Sequence, residues 1–75
     1  MAQEHWYHIL LDFVHNGNVI ENKHIASFLT EDDAIDFAVD TREYYKALGD
    51  ECRIRILYDG KNIKSYAFRK LNGRA

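Results

Sequence analysis

The chain is 75 residues long, 47% hydrophobic and 29% charged, with a formal net charge of −2. A chain this short forms one domain and buries only about 60% of its unfolded surface, which leaves no room for a deep cleft between lobes. The composition is that of a folded globular protein and not of a disordered one, no apolar run approaches the ~18 residues of a membrane span, and so small a net charge argues against mimicry of a nucleic acid by the whole molecule.

The first predicted element is a strand over residues 5–15, "HWYHILLDFVH", rich in aromatic and branched residues. The opening "MAQEHWYHILLDF" has no basic start followed by a clean apolar stretch, so no secretory leader is expected. By period two, Tyr7, Ile9, Leu11 and Phe13 share an apolar face suited to the core. Trp6, His8, Leu10, Asp12 and Val14 share the other. Asn16-Gly17 then predicts a tight hairpin, because both residues tolerate positive φ. The return strand, residues 19–29, has the polar centre Glu21-Asn22-Lys23-His24, which suits an exposed sheet edge.

"TEDDAIDFAVDTREYYKALG" predicts a helix over 31–48. Thr30 is the N-cap, acids fill the first turn where the helix dipole favours them, and Gly49 is the C′ residue. At 100° per residue, Ala34, Ala38, Thr41, Tyr45 and Leu48 line one side, flanked by Phe37 and Tyr44. Asp32, Asp36, Asp40 and Glu43 form a stripe on the opposite side.

The last segment predicts a second hairpin, strands 52–58 and 62–70 about the turn Asp59-Gly60. With Tyr58 opposite Lys61, an unbroken register pairs Ile56 with Ile63, Ile54 with Ser65 and Cys52 with Ala67. Cys52, Ile54, Ile56 and Tyr58 then face the core, and Arg53, Arg55, Leu57, Lys64, Tyr66 and Phe68 face away. The expected fold is α+β: a single domain over 1–75, with two hairpins in ββαββ order forming one four-stranded antiparallel sheet and one helix packed on one face.

Charge is unevenly placed. Residues 31–51 carry eight acids against Arg42 and Lys46, whereas residues 52–75 carry seven bases against Asp59. The open sheet face is therefore expected to be basic and aromatic, with Arg53, Arg55, Lys64, Tyr66 and Phe68 joined by Trp6 and His8. Rings on an open sheet stack bases, and arginine and lysine neutralise phosphates or carboxylates. In that register Arg55 lies directly across from Lys64, an unfavourable like-charge pair.

Catalytic signatures are missing from the sequence: no Gly-rich phosphate loop, no paired cysteines and no G-x-S-x-G elbow. The four histidines, His5, His8, His15 and His24, read as half-exposed strand residues, with His8 and His24 able to meet across the first hairpin only in some registers. Cys52 is the only cysteine, which rules out an internal disulfide and fits a reducing cytoplasm. The acidic stripe reads as a solvated helix face or as a docking surface for a basic partner.

The run from Tyr7 to Tyr66 resembles a group of small uncharacterised bacterial and phage proteins that share two strands, a helix opening with Thr and an acid-acid-Ala start, then strand, Asp-Gly-Lys and strand. Thr30, Ala34, Ala38, Gly49, Asp59, Gly60 and Lys61 carry the resemblance here. It implies a fold and assigns no activity; the long first hairpin departs from the shorter versions. Compact phage inhibitors of bacterial defence complexes are similar in size and layout.

The resulting expectation is a cytoplasmic, non-enzymatic interaction module without cofactor, metal, membrane contact or small-molecule substrate. Its partner is a macromolecule, nucleic acid or acidic protein, on the basic-aromatic face. The alternatives are a phage-type inhibitory or regulatory protein-binder using Asp32, Asp36, Asp40 and Glu43, and a homodimer joined through the open sheet face.

Overall fold

The computed structural model of the chain describes residues 5–70. Strands β1 (Tyr7–His15) and β2 (Asn18–Phe28) precede the helix α1 (Glu31–Leu48), and β3 (Cys52–Tyr58) and β4 (Lys61–Phe68) follow it. The fold is the expected α+β arrangement. All strand pairs are antiparallel and the sheet order is β2-β1-β3-β4, so the two hairpins join through their first strands and β2 and β4 form the edges. Among the described residues, no helix is long and apolar enough to cross a membrane.

The turns and caps follow from local chemistry. Asn16 (φ 52°) with Gly17 (φ 82°), and Asp59 (φ 53°) with Gly60 (φ 78°), take the paired positive φ of a hairpin turn whose twist matches its strands. Thr30 caps α1 by accepting a hydrogen bond from the Asp33 amide at 3.3 Å. At the other end Gly49 is left-handed (φ 78°). Its amide donates to the Lys46 carbonyl at 3.0 Å and the Asp50 amide to the Tyr45 carbonyl at 2.9 Å, which satisfies two carbonyls the helix itself leaves open.

One layer of core lies between the helix and the sheet. Ile9 and Leu11 of β1 face Ile56 and Ile54 of β3 in register, and Ala34 and Ala38 of α1 lie on them. The two alanines let the helix approach closely. Phe37, Tyr45 and also Ile35 pack at the margins. Leu48 and Tyr44, expected on the buried side or beside it, are instead exposed, since the contact surface closes over Tyr45 and its neighbour Phe13.

The register of β4 differs from the expected one. The turn pairs Tyr58 with Lys61 and Leu57 with Asn62, but Ile56 then pairs with Lys64, leaving Ile63 as the extra residue of a β-bulge. A one-residue shift moves every later side chain to the other face. Ile54 therefore faces Tyr66 and Cys52 faces Phe68, and both rings pack against the core on the helix side. The shift exchanges the 39%-exposed Ile63 for two half-covered aromatic rings. It also removes the like-charge pair, because Arg55 now faces Ser65.

Candidate functional site on the open sheet face

The side of the sheet away from the helix carries His8, Leu10 and Asp12 of β1, in register with Leu57, Arg55 and Arg53 of β3. Trp6 precedes this row by period two. Ser65 and Ala67 of β4 and Asn22, His24 and Ser27 of β2 complete the face. Leu10 and Leu57 are half-buried there.

Three of the residues expected on this face lie elsewhere. Tyr66 and Phe68 turn inward, and the Arg42 guanidinium of α1 stands 5.8 Å from the centre of the Tyr66 ring. Lys64 follows them to the helix side of the sheet, where it is exposed. The bulge at Ile63 is the physical reason for all three. Arg53, Arg55 and His8 do belong to the open face, and Trp6 lies just before β1. The basic-aromatic face is thus a basic-apolar one.

Its centre is an ion cluster on a buried carboxylate. The Asp12 side chain is 1% exposed, while those of Arg53 and Arg55 are 46% and 25% exposed. Arg53 directs Nε and Nη2 to Asp12 Oδ2, each at 2.9 Å. Arg55 donates from Nη2 to Oδ1 at 3.1 Å. Its Nε stands 3.0 Å from Oδ2 but misaligned, so that contact is electrostatic without being a hydrogen bond. Asn22, from the opposite neighbour strand, donates to Oδ1. Burial pushes the Asp12 carboxyl up, but the hydrogen bonds from Arg53, Asn22 and Arg55, with the Arg55 charge, outweigh it and hold the group below its ordinary value.

Asp12 and Asn22 were not among the expected site residues. The legible signal was the one carboxylate of β1, together with Arg-x-Arg, a spacing that puts both guanidiniums on one face. Only the adjacency of β1 and β3 joins them.

A second cluster lies one strand pair along. The Ser27 hydroxyl lies 2.8 Å from His8 Nδ1 and 2.9 Å from His24 Nε2, and those two nitrogens are 3.3 Å apart. Another bulge makes this possible. β2 pairs Ala26 with Ile9 but His24 with Leu10, so Ile25 is the extra residue and His24 joins the open face.

The acidic stripe is placed as expected: Asp32, Asp36, Asp40 and Glu43 are all exposed. Glu43 meets the Arg42 guanidinium at 3.1 Å. Cys52 is buried beneath α1, and burial pushes its thiol up, away from the reactive thiolate. A solvent-open hollow of about 790 Å³ lies at the far end of the first hairpin, lined by His15, Glu51, Arg69 and Lys70 among others, and none of the expected site residues borders it.

Comparison with protein-family models, curated proteins and solved structures finds no match for this chain.

Proposed function

We propose that the chain is a non-catalytic interaction module that docks a protein partner on the open face of its sheet. The observation that supports this reading is the make-up of that face: half-buried Leu10 and Leu57 around arginines already fixed in place by Asp12. Apolar side chains beside arginine are the composition of a protein interface centre. A guanidinium whose rotamer is already fixed loses less entropy on meeting a carboxylate. Two features argue for protein over nucleic acid. Asp12 offsets one of the two central positive charges, and Tyr66 and Phe68, the rings that would stack bases, pack against the core instead. A cytoplasmic location accords with the single buried thiol.

The second reading, a phage-type inhibitor or regulator using the helix, is supported by the exposure of its acidic stripe. A photo-crosslinking side chain separates the two. Ala67 is exposed on the open face beside Arg53, and Asp36 is exposed on the stripe. Crosslinking to another protein from Ala67 and not from Asp36 is the expected result, and the reverse would replace the sheet reading by the helix one. A crosslink between two copies of the chain from Ala67 would assign the partner as a homodimer. Crosslinking to nucleic acid alone from Ala67, with affinity falling steeply with salt, would overturn the preference for protein.

A further inference from the structure

We propose that His8 and His24 form a two-nitrogen chelate for a divalent late first-row transition ion, of which zinc is the probe of choice. Two nitrogens bound about 2.1 Å from a tetrahedral ion stand about 3.4 Å apart. His8 Nδ1 and His24 Nε2 stand 3.3 Å apart. The rings meet edge to face with centroids 5.2 Å apart and do not lie parallel as in a stack, which leaves both nitrogens accessible to one ion between them. Ser27 Oγ completes a triangle of donor atoms, at 2.8 and 2.9 Å from the two nitrogens.

Imidazole suits zinc, nickel and copper and is a poor ligand for magnesium or calcium, which fixes the class of ion. Two strand positions hold the pair. His8 is half-buried against its neighbours on the central strand, which limits its ring, and the bulge at Ile25 brings His24 alongside it. An unbulged strand would carry His24 on the opposite side. Asp12 offsets one of the two nearby guanidinium charges, so the ion binds against one remaining positive charge, which weakens it further. Among the described residues no group of three or more His, Cys, Asp or Glu side chains converges, so the donors proposed are the two histidine nitrogens and the Ser27 hydroxyl, with water at the remaining positions. The ion is therefore an exchangeable one, held far less tightly than a four-ligand structural zinc.

Zinc titrated into the tag-free protein, followed by calorimetry and by the ring ¹⁵N resonances of histidine, tests the site. The expected result is one ion per chain, with perturbation of His8 and His24 and none of His5 or His15. Loss of either ligand, His8→Ala or His24→Gln, weakens binding at least about tenfold, as removal of a needed coordination partner does. His5→Ala and His15→Ala leave it unchanged. Undiminished affinity in a folded His24→Gln variant, or ring perturbations at His5 or His15 in place of His8 and His24, would overturn the assignment. The resonance measurement uses the unaltered chain and so stands even if His8→Ala fails to fold.

Discussion

Removing the bases around Asp12 is expected to damage the protein more than removing the acid. The Asp12 side chain is 1% exposed, whereas the Arg53 and Arg55 side chains keep 46% and 25% of their surface. Asp12→Asn deletes the buried charge and leaves two cations that water still reaches. Its cost is the loss of charge-assisted hydrogen bonds, about 1–3 kcal/mol. Arg53→Ala with Arg55→Ala leaves an ionised carboxylate under the sheet surface with only Asn22 as donor, and breaking a buried pair in this way costs about 3–5 kcal/mol. At about 0.05–0.15 kcal/mol per residue, a chain of this size has a total stability of roughly 4–11 kcal/mol. The double variant therefore sits near its unfolding threshold, while Asp12→Asn melts lower by about 4–8 °C per kcal/mol lost.

Acid separates the two cases by sign. In the native protein the folded-state value of Asp12 is lowered, so its contribution is complete above the ordinary aspartate value of about 4 and disappears as the pH falls through the folded value. Without the arginines, burial is opposed only by the weaker effect of the Asn22 hydrogen bond, and the folded value of Asp12 is raised. The penalty is then present at neutral pH and relieved as the pH falls through that raised value. The gap between native and double-variant stability is therefore widest near neutrality and narrows in acid. Urea denaturation followed by circular dichroism at about pH 7, 5 and 3.5 measures it. A double variant that loses less than about 1 kcal/mol at neutral pH, or a gap that does not close in acid, would refute the claim that the arginines compensate a buried charge.

Three other outcomes follow from the same geometry. Gly49→Ala forces a side chain into φ 78° with nothing within 4 Å of the added carbon, so its cost is conformational alone, about 1–2 kcal/mol by thermal melting. Deleting Ile63 removes the extra residue of the bulge and leaves Ile56 opposite Lys64, Ile54 opposite Tyr66 and Cys52 opposite Phe68, so both rings stay on the helix side; a loss below about 2 kcal/mol is expected in urea, and a larger loss with accelerated hydrogen exchange of the β4 amides would contradict that register. Cys52, buried and with its thiol pushed up, should react with a thiol-specific reagent only as fast as the sheet opens, and stoichiometric labelling of the folded protein within seconds would contradict its place beneath α1.

The parts of this fold that sequence foretells are those decided within a few residues. Asn16-Gly17 and Asp59-Gly60 form turns because of their own φ preferences, and Thr30 and Gly49 end the helix for the same kind of reason. Period two also assigns β1 and β3 to their faces correctly, since neither strand carries an irregularity where they pair with each other. The edge strands obey a different rule. A bulge costs one ladder position and is chosen by what the shifted side chains then touch, a comparison across the whole sheet that no local window contains. β4 uses one at Ile63 for the two rings that cover the core; β2 uses one at Ile25 for the histidine that meets His8, and has a second at Ile20 near its turn. The strand order adds the last step. Because β1 pairs with β3 and not only with its hairpin partner, the one aspartate of β1 falls beside Arg-x-Arg, and what reads as surplus positive charge becomes a partly neutralised cluster. On the proposed docking role, a partner would meet fixed, partly neutralised arginines beside Leu10 and Leu57, an arrangement that selects for shape and carboxylate placement over bulk charge.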